Sequence, residues 1–301
     1  MTLPIVWHPD YTVALRPNHP FPMSKYFYLR QALEDRGLMA PGGWLAPAPL
    51  KPLQVAGAHD IGYVERVVAG TLSAEETRRI GLPATPAVAR RAQLSSAGTL
   101  LAGRLALDRG LAVNAAGGSH HAGPDYGSGY CVFNDVAVAA RTLADEGSAT
   151  RILVVDCDVH QGDGTAWIFA SDPRVFTFSI HAQKNFPARK AVSDLDVGLE
   201  DGLGDEDYLA RLSEALDEAV ERAAPELVFY NAGVDPWEGD RLGRLALSLE
   251  GLRRRDRMVL ERLRGRGLPV AAALGGGYSH DPHELAARHA ILFEEAAALA
   301  A

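Results

Sequence analysis

Two adjacent histidines, His120 and His121, sit in 117-GGSHHAGPDYGSGYCVFND-135, and a second polar cluster, 156-DCDVHQGDGT-165, follows downstream. In the second cluster Asp156, Asp158 and His160 recur at every other residue. On an extended chain they point to one side. Two carboxylates and an imidazole converging there suit a divalent metal with oxygen and nitrogen ligands. A further ligand from another strand would leave a position open for water, as in a catalytic site. Asp235, in 231-NAGVDPWEGD-240, is the candidate for it. The competing use of these acids, capping the helix that follows, needs one such residue rather than three on one side.

The histidine pair cannot face one way from a regular strand, because neighbouring side chains alternate. On a glycine-flanked loop both can face one pocket. One could then shuttle a proton while the other gives electrostatic support, each held by a carboxylate. Alone, an HH dipeptide reads more readily as a hydrogen-bonded tight turn; the carboxylate cluster nearby reverses that. Tyr278, in 274-LGGGYSH-280, follows three glycines. Its hydroxyl could polarise a carbonyl and stabilise an oxyanion, or it could simply pack. The glycine run lacks G-x-G-x-x-G spacing and a P-loop lysine, so no nucleotide is read from it.

Such residues need elements to position them. Near-continuous apolar runs at 3–8, 111–116, 151–156, 174–180, 226–232 and 268–274 read as strands of a parallel sheet covered on both faces. Helices are expected at 86–108, capped by Thr85, and at 135–146, capped by Asn134. A third starts near Glu206, capped by Asp205, with Leu209, Leu212, Leu216 and Val220 along one face. Two more lie near 249–265 and 283–299. The alternation predicts one α/β domain over residues 1–301, a three-layer α/β/α arrangement with a mainly parallel sheet. Pro41–Pro52 reads as a surface loop. Five strands then carry polar residues at or just past their carboxyl ends: the histidine pair, the Asp156–His160 cluster, His181, Asp235 and Tyr278. Open α/β sheets bind ligands there.

The chain has 301 residues and a formal net charge of −8, which argues against a general affinity for nucleic acid. No apolar run approaches a membrane span, and the start, MTLPIVWHPDY, lacks the pattern of a signal peptide. The two cysteines, Cys131 and Cys157, read as reduced thiols, so a cytoplasmic protein is expected. Nothing in the sequence reports an oligomeric state.

Through GGSHHAGPDYGSGYCVFND, DCDVHQGDGT, NAGVDPWEGD and LGGGYSH, in that order, the sequence resembles the histone deacetylase family over nearly its whole length. The resemblance implies the arginase-like α/β fold. Class I and II members usually have a histidine where this chain has Gln161. The DxDxHQG form, with 185-NFP-187 and 193-SDLDVGLEDGLGD-205, looks most like class IV and its bacterial relatives. The resemblance further implies that Asp158, His160 and Asp235 hold a catalytic zinc, or iron(II) in its place. His121 would be general base and then acid, oriented by Asp163; His120 would be its electrostatic partner, held by Asp156; Tyr278 would donate to the substrate carbonyl. Gly129, Tyr130, Phe186 and Leu242 would wall an acyl-lysine tunnel. A potassium ion is implied at Asp156, Asp158 and carbonyls near His160, Ser179 and Ile180.

The activity so implied is zinc-dependent removal of acetyl or longer acyl groups from the Nε amine of lysine in a protein or peptide. An alternative with the same centre is deacetylation of a small amine such as an acetylated polyamine. A two-manganese ureohydrolase needs a second ligand set, against which Gln161 stands. A non-catalytic acyl-lysine binder would not need the His121–Asp163 pair or Tyr278.

Overall fold

Short apolar runs covered on both faces have no water for their backbone groups, so they pair with one another. The computed structural model describes residues 2–39 and 43–300. In chain order the elements are β1 (Ile5–Val6), α1 (Lys25–Asp35), α2 (Pro52–Val55), α3 (Ile61–Ala69), α4 (Ala74–Ile80), α5 (Pro86–Arg109), β2 (Leu111–Asn114), α6 (Asp135–Asp145) and β3 (Ile152–Asp156). They continue with α7 (Asp163–Phe169), β4 (Val175–Ala182), β5 (Leu195–Leu199), α8 (Asp205–Ala223), β6 (Leu227–Ala232), α9 (Leu249–Gly265), β7 (Val270–Leu274) and α10 (Pro282–Ala300).

The seven strands form one sheet in the order β1-β2-β7-β6-β3-β4-β5. Every neighbouring pair is parallel. The strands β2, β3, β6 and β7 are buried at every residue, which is why each is a continuous apolar run. The order reverses between the two halves of the sheet, and all carboxyl ends point one way. The loops after β2, β3, β6 and β7 therefore meet at one rim, the position where such sheets bind ligands.

Local chemistry sets the helix starts. The Thr85 hydroxyl accepts from Val88 N–H and the Asn134 side chain from Ala137 N–H, as expected of N-caps. Asp205 is not a cap: Gly204 precedes the helix, and Asp205 is its first residue. Its carboxylate accepts instead from the Ser248 amide and hydroxyl, a tertiary demand that overrides the local one. The expected 3–8 strand shrinks to Ile5–Val6. Pro41 and Gly42 lie outside the described residues; from residue 43 on the expected loop is not wholly irregular, since Leu45 bridges Val6 in parallel and α2 opens at Pro52.

Candidate active site

The chain leaves the sheet after Asp156 and turns through Cys157–Gly162 before α7. That turn brings Asp158 and His160 against Asp235, which follows β6. One donor atom from each of Asp158, His160 and Asp235 lies within 4.8 Å of the other two, and all three residues are buried. His160 Nδ1 stands 3.0 Å from Asp158 Oδ1 and 3.2 Å from Asp235 Oδ2. Backbone amides aim both carboxylates: Gly276 N–H donates to Asp158 Oδ2, and Val159 N–H to Asp235 Oδ1. Gly276 must be glycine for this approach, because a Cβ there would strike the Asp235 carboxylate.

Asp156 does not join that group. Its Oδ2 meets His120 Nδ1 at 2.6 Å, and its Oδ1 accepts from Asn231 Nδ2 and Asp158 N–H. The expectation that Asp156, Asp158 and His160 converge from an extended chain is corrected: the strand ends at Asp156, and the turn carries only the later two onward. His181 is also corrected. It pairs with Ser179 Oγ at 3.0 Å inside β4 and does not line the cavity. The contribution from that strand comes later, from Asn185 and Phe186. For the potassium set, Asp156 and Ser179 are register partners on β3 and β4, with Ile180 next in line.

Burial resists charge throughout the site, but its effects are uneven. At His160 the carboxylates of Asp158 and Asp235 overcome burial and push the imidazole up to about 10. Two buried carboxylates this close demand a positive charge. A divalent cation would supply it in place of a proton, and carboxylate and imidazole donors are ones such a cation takes. Burial likewise opposes charge on His120, but Asp156 and Asp158 outweigh it and raise that ring to about 9. Burial, with charged His120 alongside, instead pushes His121 down to about 4. The two rings, 4.1 Å apart, therefore sit in opposite protonation states at neutral pH. His121 Nδ1 meets Asp163 Oδ1 at 2.6 Å, which leaves Nε2 as the acceptor. Burial, reinforced by Asp235 and Asp158, holds the Tyr278 hydroxyl well above its usual range, so it stays a donor.

His121, His160 and Tyr278 open onto a cavity of about 800 Å³. Gly129, Tyr130, Phe186 and Leu242 all line it. Phe186 stands edge-on to His121 at 4.8 Å between ring centres. Gly129 has φ +54°, and a Cβ there would lie 2.8 Å from His121 Cδ2.

The pattern of the histone deacetylase domain matches residues 19–293. The chain belongs to the histone deacetylase family. An uncharacterised protein of Picosynechococcus sp. is 47% identical over 98% of this chain and 99% of its own length. Histone deacetylase 2 of Arabidopsis thaliana is 29% identical over 86% of this chain and 70% of its own length. Human histone deacetylase 1 is 33% identical over 56% of this chain and 36% of its own length. Among solved structures, the HDA15 HD domain matches with a TM-score of 0.84 at 21% identity, over 99% of this chain and 89% of that one. An acetylpolyamine aminohydrolase from Burkholderia pseudomallei matches with a TM-score of 0.78 at 22% identity, over 99% of both chains. These two likenesses establish the fold. Family membership places the chain among amide hydrolases.

This deacetylase-family site also rests on residues that sequence reasoning passed over. Asp135 accepts from Ser119 and Gly118 amides and from Thr99 Oγ1, pinning the loop before the histidine pair. Asn134, read as a cap alone, also donates to the Ala122 carbonyl and Thr165 Oγ1. Asp240, paired with buried Arg288, accepts the Tyr278 amide and so fixes that residue. Lys25 and Arg91, both buried, line a small cavity of about 30 Å³ on the inner side of His120 and Asp158. The only signals for these were the N-D pair closing the first motif and the aspartate closing the third. Long-range side-chain bonds leave no spacing in a sequence.

Proposed function

We propose that the chain hydrolyses the amide of Nε-acylated lysine, using zinc held by Asp158, His160 and Asp235. The observation that carries this is the buried three-donor group beside a cavity that His121, paired with Asp163, and Tyr278 also line. When bound, the ion supplies positive charge that acidifies water and polarises the carbonyl. His121, kept neutral and with Nε2 free to accept, takes the proton of the attacking water and returns it to the leaving lysine amine. Asp163 holds the ring orientation and steadies its transient charge. His120 stays charged beside Asp156 and adds to the field. The Tyr278 hydroxyl donates to the developing oxyanion, worth several kcal/mol in a buried site. The walls formed by Gly129, Tyr130, Phe186 and Leu242 take the apolar lysine stem.

Iron(II) suits the same donor set. A potassium ion at Asp156, Asp158 and the carbonyls near His160, Ser179 and Ile180 belongs to the same proposal, as does class IV membership through the DxDxHQG form. The side chain of Gln161 supports one metal rather than two: it bonds Ala191 and Asp196. A cytoplasmic location fits two free buried cysteines, and no helix among the described residues is long and apolar enough to cross a membrane.

The test is turnover by zinc-loaded protein of lysine peptides carrying acetyl to long-chain acyl groups, beside acetylated polyamines. Hydrolysis of the lysine peptides is expected. A zinc-loaded protein inert toward every acyl-lysine peptide would end the lysine reading, and preference for the polyamine would transfer the site to a small-molecule substrate.

A further inference from the structure

The mouth of the cavity carries three exposed arginines. Arg78 and Arg79 come from the last turn of α4, and Arg189 from the loop after β4. None pairs with a carboxylate among the described residues. Arginines elsewhere commonly do, as Arg66 with Glu76, Arg174 with Asp172 and Arg257 with Glu295. Among the described residues the one acid on the cavity wall is Asp163, which His121 already engages. Exposed Asp125 precedes Tyr126 in the chain but does not line the cavity.

A plain explanation exists for part of this: cations favour helix C-termini. It covers Arg78 and Arg79 but not Arg189, which comes from a different element and faces the same opening. The α4 end is also fixed to the tunnel wall. Gly129 N–H donates to the Arg79 carbonyl and Tyr130 N–H to the Ile80 carbonyl. The Arg79 guanidinium lies 3.6 Å from the Tyr126 ring centre, which holds it in place. The rim is thus a positive patch on a protein of net charge −8. At physiological salt such a patch acts over only about 8 Å, so it senses groups next to the acylated residue and little else.

We propose that this rim selects acyl-lysine substrates bearing a carboxylate beside the acylated residue, and disfavours polycations. The proposal rests on the amide-hydrolase reading above. Flanking acidic side chains and a free C-terminal carboxylate present the same chemistry, and Arg78 and Arg189 would meet it while the acyl-lysine occupies the tunnel.

The experiment compares kcat/KM of zinc-loaded protein on matched peptides, blocked at both ends, with Glu, Gln or Lys flanking an internal acyl-lysine. A Gln peptide ending in acyl-lysine with a free carboxylate, and acetylspermidine, complete the set. The Glu peptide is expected to exceed the Gln peptide roughly fivefold, the scale of one or two exposed ion pairs, with the Lys peptide and acetylspermidine below both. The free-carboxylate peptide alone exceeding the blocked Gln peptide would assign the contact to a chain terminus; its matching the blocked Gln peptide while the Glu peptide exceeds it would assign the contact to side chains. The advantage should shrink in 0.5 M salt, on the order of the screening expected of exposed charges. It should invert in the exposed double variant R78E/R189E. Equal turnover of the Glu, Gln and free-carboxylate peptides, or a preference for Lys, overturns the rim proposal while the hydrolase reading stands. No turnover of any peptide overturns both.

Discussion

His120 and His121 are one peptide bond apart and differ because each meets a different carboxylate. Asp156 and Asp158 keep His120 charged, while burial and that neighbouring charge keep His121 neutral. A base must be neutral to accept a proton, so the role proposed above falls to His121 rather than His120. His121→Ala should lower kcat by roughly 10²–10⁴-fold, the range for a positioned general base. Zinc content should not change, because His121 is outside the three-donor group. Steady-state kinetics with metal analysis of the same sample checks both halves. Loss of zinc in this variant would instead make His121 a ligand and overturn the division of roles.

At the scale of elements, the loops that carry these residues are fastened from behind by α9. Arg255, fully buried, donates through Nη1 to the carbonyls of Gly233 and Cys157, which follow β6 and β3. It pairs with Asp256 at 2.8 Å, and the Tyr230 hydroxyl donates to the same carboxylate. Arg255→Met should cost about 3–5 kcal/mol, since it strands a buried carboxylate. Arg255→Met with Asp256→Leu should recover part of that loss, as read by urea unfolding; a double variant no more stable than the single would deny that the stranded charge is the cause. Buried pairs like this one were invisible in the sequence, whereas the buried strands were plain, because a strand covered on both faces must be apolar throughout. The edge strand β5 escaped notice: it alternates partly buried and exposed residues and contains Asp196 and Gly198. The helix α4 had a legible signal that went unread, the capping box of Ser73 and Glu76. That Asp158, His160 and Asp235 come together was legible, because few residue types suit a divalent cation, while the tertiary claim of Ser248 on Asp205 was not.

Across the whole molecule, stability depends on buried histidines whose surroundings favour the neutral ring. His59 ties the start of α3 to the site: its Nδ1–H donates to the Gly123 carbonyl, beyond the histidine pair, and its Nε2 accepts from Asn134 N–H at the head of α6. The bond from Asn134 needs the neutral form, because a protonated Nε2 cannot accept. Burial pushes His59 down to about 4, with the Gly123 and Pro124 carbonyls offsetting only part. His181 is pushed to about 4 as well, again chiefly by burial. Because the unfolded chain has the ordinary histidine pKa near 6.5, it binds more protons than the folded chain between roughly pH 6.5 and 4. Stability is therefore full above that window and falls as pH drops through it, by about 3 kcal/mol for His59 alone over its whole shift. His120 works in the opposite sense, since its raised pKa adds stability at low pH that fades as pH rises toward about 9. Urea unfolding of zinc-loaded protein at steps from pH 7.5 to 4.5 should show the fall. His59→Gln should be less stable at pH 7.5 but lose less on acidification, because it has no ring to protonate. If the variant and the parent lose stability in parallel across that window, His59 is not the group that couples this fold to pH.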